Sequence, residues 1–372
     1  MRGPTARRQA PLLIAGFALA LAARALFLAA LKNNYDMASW RIVADILERG
    51  GNVYRETSRY NYSPLWAALL VVLDVLGRAA SLPLDRMVSL SLLGIDVASA
   101  AVLRKIALER GQTPMRANGT ALLFFANPVS VIVSSYQGAF DNLSILFLLL
   151  ALLWAGRRPE AKAGVVAALS LSVVAKHITW FHPALFAFRG RRRPDPVTAL
   201  IPYAAFLLSF VPFWRGWVGI RAHVFGYRGL DEPYGVAFLR GVPWLPRETT
   251  TGILVLAALT AVVLLRGVEI GRASLLLLLV LLIFAPGICP YYFLWPVALG
   301  CLYPTAGSLV YTVVVTAFLV HSPDVIGLEL PHLPGWSGPW WALVFWLLWE
   351  IRGLIGAAGR ARSARTAAPT GP

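Results

Sequence analysis

The chain holds two cysteines, Cys289 and Cys301, among 372 residues. That is too few for a disulfide framework or a thiolate metal site. Charge is sparse, at 14% of residues, and acids are scarcer than bases, 18 against 34. There is no phosphate-binding Gly loop, no metal-ligand spacing and no Ser or Cys triad pattern, which removes P-loop, metal-centre and triad chemistry from consideration. No internal repeat is visible.

What is abundant is apolar surface, with 58% of residues hydrophobic. Apolar runs approach the ~20 residues that cross a bilayer and recur along the whole length. The 25 prolines and 31 glycines sit partly inside these runs, as is common in membrane helices. The composition predicts an all-α, polytopic transmembrane bundle rather than a soluble domain.

A net charge of +16 could suggest nucleic acid, but its distribution argues against that partner. Arginines and lysines bunch at the N-terminus (Arg2, Arg7, Arg8), at 104–116, 157–162, 189–193 and 266–272, and in the 352–365 tail. The segments between them carry nearly balanced charge. That asymmetry follows the positive-inside rule and puts both termini in the cytoplasm. The first apolar run, 11–31, reads as an uncleaved signal anchor. Crossing from the inside, it delivers Asp36 to the outer face. The run 64–76 would reverse the rule if it crossed, so it is expected as an interfacial or re-entrant helix.

The remaining spans are expected at 87–103, 117–135, 142–156, 163–176, 178–188, 197–214, 252–265, 273–287, 291–303, 305–320 and 340–351. That makes about twelve, in a single transmembrane domain over 1–351, followed by a basic, disordered tail over 352–372. The stretch 163–188 is too short for two full spans at 1.5 Å per residue. It should enter, break near Lys176 and His177, and return, with the break buried in protein or beside a water-filled cavity.

Four clusters then face outward. They are Tyr35 and Asp36 with Trp40; Asn61 to Pro64 with Tyr62; Tyr136 to Asn142 with Gln137 and Asp141; and Lys176 and His177 with His182. Asp36 is either a catalytic carboxylate or the cap of a helix over 37–47. Asp141 stands where a cap would stand. Lys176 requires a partner or an anion, because an ammonium at the membrane boundary is costly. Asp96 and Arg24, inside spans, read as pairing or snorkelling groups. A second outer loop, 215–251, carries His223, Arg228, Asp231, Glu232 and Tyr234.

From Asp36 to Phe188 the order of segments resembles the GT-C superfamily of integral-membrane glycosyltransferases. It is similar above all to the mannosyltransferase that adds the first mannose in glycolipid-anchor synthesis. The residues that carry the resemblance are Asp36 after the first span, Asn52-Val53-Tyr54, Tyr60-Asn61-Tyr62-Ser63-Pro64-Leu65, Asp96, Asn127-Pro128, Ser134 to Asn142, and Lys176 with His182-Pro183. The mannosyltransferase has an Asp-x-Asp in its first loop, whereas Met37 and Ala38 follow Asp36 here, so no metal and no cofactor is expected.

The resemblance implies inverting transfer of a sugar, mannose favoured, from a polyprenyl-phosphate donor to an acceptor hydroxyl of a glycolipid or glycan in the cell envelope. Asp36 would be the general base. Lys176, His177, His182 and Arg228 would hold the donor phosphate. Tyr35, Trp40, Tyr62, Gln137 and Asp141 would contact substrate. The rival readings are a transporter or flippase of a lipid-linked or anionic solute, and a non-catalytic subunit of a larger membrane complex. The missing inverted repeat weighs against the transporter.

Overall fold

A computed structural model of the chain describes residues 4–30, 34–157, 161–189, 193–227, 247–323, 325–328 and 337–366. Among these the regular structure is helical, without strand. The order opens with α1 (Pro4–Ala29) and three helices in the first loop, α2 (Tyr35–Glu48), α3 (Val53–Glu56) and α4 (Pro64–Ala79). Then come α5 (Leu84–Glu109), α6 (Pro114–Phe125) and α7 (Pro128–Ser130), which leads through a π turn, Val131–Tyr136, to α8 (Asp141–Ala155). They are followed by α9 (Lys162–Ala175), α10 (His182–Ala187), α11 (Pro196–Ser209) and α12 (Trp217–Gly219), the last continued by a second π turn, Ile220–Phe225. The second half holds α13 (Arg247–Leu265), α14 (Ile270–Phe284), α15 (Val297–Leu302), α16 (Ala306–His321) and α17 (Ser337–Thr366).

The all-helical, membrane-type architecture is met, while the number of spans is met only in part. Among the described residues three helices are long and apolar enough to cross a membrane: Pro11–Ala29, Leu84–Glu109 and Ser337–Ala357. The number rises to five if two bent pairs each count as one span. These pairs are Pro114–Phe125 with Pro128–Tyr136, bent by 42°, and Pro196–Ser209 with Val211–Phe225, bent by 55°. The reason is continuity. Apolar runs that look span-length are broken by proline and polar residues, leaving helices such as the 15-residue α8 and α14. At 1.5 Å per residue these reach about 22 Å, short of the ~30 Å hydrocarbon core. The last helix also runs on to Thr366, past position 352, where the basic tail was expected to begin.

The first loop is helical because its caps and periodicity say so. Asn34 caps α2, its side chain accepting from the Met37 N–H at 3.0 Å. Met37, Trp40, Val43, Ala44 and Ile46 are buried at helical spacing. Asn52 caps α3 by accepting from the Tyr54 N–H at 3.1 Å, and its amide donates to the Phe213 carbonyl at 3.1 Å. Pro64 opens α4, its fixed φ suiting the first helical turn. Gly219 marks a close approach: a Cβ there would sit 1.6 Å from the Tyr54 carbonyl oxygen. Two apolar cores result. The larger runs through α5, α6, α8, α14, α15, α16 and α17. The smaller is aromatic and joins α2, α3 and α4 to Phe140, Phe206 and Phe210.

Inside the bundle, Arg24 and Asp96 pair with each other. Both are fully buried. The guanidinium also donates to the Phe125 carbonyl and to Ser130 Oγ, each at 2.9 Å, and to Ser135 Oγ at 3.3 Å. The second carboxylate oxygen of Asp96 accepts from Asn142. Four segments (α1, α5, the α7 region and α8) are thereby locked at one point, and the serines that lock them lie at the π turn. Arg24→Met leaves Asp96 charged and buried without its partner, which should lower stability by about 3–5 kcal/mol. Arg24→Met combined with Asp96→Leu should recover most of that loss. Reversible unfolding in detergent would measure both, and a single variant as stable as wild type would show that the network holds nothing.

Candidate functional site

A cavity of about 810 Å³ opens where six segments meet. They are the start of α2 (Asn34, Asp36), the 58–62 loop (Arg59, Tyr62), Gln137, the turn from Ala222 to Tyr227, Cys289 to Tyr291, and Pro323. The volume lies within the ~300–1,000 Å³ of small-molecule sites. The rim is built by local rules. Asn34 both caps α2 and donates to the Gln137 carbonyl at 2.8 Å, which fixes the α2 start against the 137–140 turn. Gly138 takes a φ of +70° in that turn, where a side chain would be strained.

Asp36 is the second residue of α2 and lines the cavity. It is not the helix cap, because Asn34 fills that position. Among the described residues its carboxylate makes no hydrogen bond and no ion pair within 4.0 Å. Burial raises it above the ordinary carboxylate range; the nearby Lys176 ammonium opposes this, Asp141 adds to it, and Arg59 opposes it. Arg59 faces the same cavity and lies 4.0 Å over the Tyr35 ring. It too has no carboxylate within salt-bridge distance among the described residues.

Beneath the cavity the chain breaks as the spacing predicted. α9 ends at Ala175, Lys176 is extended, and a short 3-10 turn covers His177–Thr179. Lys176 is 3% exposed. Its ammonium donates to Asp141 Oδ2 at 2.6 Å, and Trp295 Nε1 donates to Asp141 Oδ1 at 2.6 Å. The rings of Tyr62, Phe140, Tyr291 and Tyr292 surround the ammonium at 4.8–5.6 Å, adding cation–π attraction. Asp141 therefore does not cap α8 with its side chain. It neutralises Lys176.

Of the other expected site residues, Tyr35, Trp40, Tyr62 and Gln137 line the cavity. Trp40 packs edge-on against Trp66 and Phe140, which themselves stack at 4.3 Å. His177 is half-buried beside Lys176 and does not line the cavity. His182 is fully buried next to the backbone of Thr179 and Ser274, also off the cavity. Arg228, with Asp231, Glu232 and Tyr234, lies outside the described residues. Arg59, Tyr227, Cys289 and Tyr291 are wall residues that the sequence reading passed over, as it did Trp295, the partner of Asp141. The run Pro286-Gly287-Ile288-Cys289-Pro290-Tyr291-Tyr292 was a usable signal, since Pro and Gly interrupting an apolar segment mark a broken helix at a site. Among the described residues no three His, Cys, Asp or Glu side chains converge as a metal-ligand set.

The sequence model of the PIG-U family, described as a GPI transamidase subunit, matches residues 9–221. The chain belongs to the PIG-U family. The matched region holds Asp36, Arg59, Tyr62, Gln137, Asp141 and Lys176, while Tyr227 and Cys289 to Tyr291 lie beyond it. Comparisons with curated proteins and with solved structures return no match. The family places the chain among membrane proteins of the glycolipid-anchor pathway, the pathway of the mannosyltransferase it resembles. It corrects the enzyme assignment: a transamidase subunit is a component of a protein-attaching complex, not a glycosyltransferase.

Two outcomes follow from the geometry. Lys176→Met leaves Asp141 buried with its charge unbalanced and should cost about 3–5 kcal/mol of stability. Adding Asp141→Asn should restore much of it, as read by unfolding in detergent; equal stability of all three proteins would refute the pairing. For Asp36 the sign runs the other way. A carboxyl whose value is raised in the folded state favours folding only below its unfolded value, and that favour is lost as pH rises through the folded value. Asp36→Asn should thus be neutral or stabilising at pH 7, with the difference closing near pH 4. Melting curves at the two pH values decide it, and marked destabilisation at pH 7 would mean that the carboxylate supports the fold.

Proposed function

We propose that this chain is a non-catalytic subunit of a membrane complex, holding the headgroup of a phosphorylated glycolipid in the cavity beside Asp36. The observation that carries the reading is the pairing of charges. The buried cation, Lys176, is already matched by Asp141 at 2.6 Å and ringed by aromatics, so it is a structural ion. Asp36 and Arg59, by contrast, line the cavity without a salt-bridge partner among the described residues. Partly buried charges left unmatched are costly unless a ligand completes them. The mixed wall of tyrosines, Trp40 and a few polar groups suits a saccharide and a phosphate ester.

The distribution of arginine supports an outer-face position for this end of the bundle. A lipid anchored by its chains among the helices would reach the cavity from the outer leaflet. The family supports the assembly role, since its members are described as subunits of a transamidase. Lipid capture and presentation to a partner is a task that needs binding groups and no acid–base machinery.

Extraction in a mild detergent followed by native mass spectrometry tests both parts. The expected result is the chain in a larger assembly with a phosphorylated glycolipid bound. That lipid should be lost from a protein carrying both Asp36→Asn and Arg59→Gln. A lone, lipid-free polypeptide recovered from intact membranes would refute the reading.

A further inference from the structure

We infer that the cavity selects a headgroup that carries both signs of charge, with a phosphate at Arg59 and an ammonium at Asp36. This rests on reading the cavity as a headgroup site and names the chemistry of the headgroup. The two charges open on one space, yet they form no salt bridge with each other within 4.0 Å. Oppositely charged side chains in a shared, part-buried cavity should close on each other unless something keeps them apart.

Each is held in place. The guanidinium of Arg59 stacks on the Tyr35 ring at 4.0 Å, and its loop is pinned by the Arg59 N–H donating to Thr57 Oγ1 at 3.1 Å. The carboxylate of Asp36 rides in the first turn of α2, whose start is tied to the Gln137 carbonyl through Asn34 at 2.8 Å. The result is a pre-set pair of opposite charges with a gap between them.

The composition of the gap narrows the ligand. An anion without a cation would satisfy Arg59, whose planar fork suits phosphate oxygens, but would face the Asp36 carboxylate. A neutral saccharide would leave Arg59 unpaired. A headgroup with phosphate and ammonium satisfies both groups and adds no net charge. Tyr62, Tyr227 and Tyr291 line the same space, and an ammonium gains from aromatic faces as well as from the carboxylate. Lys176 is no alternative phosphate site, because Asp141 already occupies it.

The test compares dioctanoyl phosphatidylethanolamine with its N-acetyl derivative, which keeps the phosphate and loses the ammonium. Thermal-shift titration in a maltoside detergent reads the affinity of each. The expected result is at least tenfold tighter binding of the ammonium lipid by wild type. That preference should vanish in Asp36→Asn, which binds both at the weaker level, while Arg59→Gln weakens both lipids. Equal affinity of wild type for the two lipids would overturn the inference and leave the headgroup site standing. Failure of both lipids to bind would overturn the headgroup site as well.

Discussion

The ion pair between Lys176 and Asp141 is the constraint on which the rest of the site depends. A buried ammonium is costly unless a counter-ion meets it, and here the match is complete. Both ions are almost wholly buried, the contact is 2.6 Å, and the second carboxylate oxygen takes a hydrogen bond from Trp295. Three elements must therefore converge: the break after α9, the first residue of α8, and the segment before α15. Ser144 reinforces the junction by donating to the Ser172 carbonyl at 2.8 Å. The aromatic residues around the pair are then placed twice over. Tyr62 and Tyr291 pack their rings against the ammonium and also line the cavity.

A second buried pair, Arg24 with Asp96, does the same for α1, α5, the α7 region and α8. Asn142 joins the two systems, since it follows Asp141 in α8 and donates to Asp96. A low-dielectric surround gives such networks leverage, because each member is expensive to leave unmet. The breaks in α6–α7 and after α9 persist for this reason. Irregular backbone at membrane depth survives where side chains and neighbouring helices satisfy it. Asn127, which caps α7 by accepting from the Val129 N–H at 3.0 Å, shows the local version of the same rule.

Much of the site's location was legible in the sequence, and less of its wiring. Asp36, Tyr35, Trp40, Tyr62 and Gln137 stand just beyond apolar runs, so hydropathy alone brings them to one end of the bundle. The break at Lys176 follows from length, because 26 residues cannot cross twice. What could not be read was pairing across the fold. Lys176 and Asp141 are 35 positions apart, and nothing local says that each is the other's partner. Asp36 and Asn34 are both credible caps by type, and only the backbone geometry selects Asn34. Arg59 sits in an ordinary polar loop and matters only because Tyr35 folds beneath it. Hydropathy sums apolar residues without asking whether the helix is continuous, so it does not separate the three full-length helices from the shorter apolar ones.

The same wiring bears on the difference between this chain and the glycosyltransferases it resembles. A transferase of lipid-linked sugar needs a cation free to take charge from the leaving phosphate as the bond breaks. In this chain the buried ammonium at the matching position is saturated by a carboxylate and an aromatic cage. Moving a phosphate onto Lys176 would first require Asp141 to be displaced, and Asp141 would then lie buried with only Trp295 as donor. The pair is stable where it is, so the order of motifs is retained while the charge that would do the chemistry is spent on structure. Asp36 and Arg59, by contrast, line the cavity and have no salt bridge among the described residues. A cation committed in this way to the fold supports the proposed binding role rather than a transferase role.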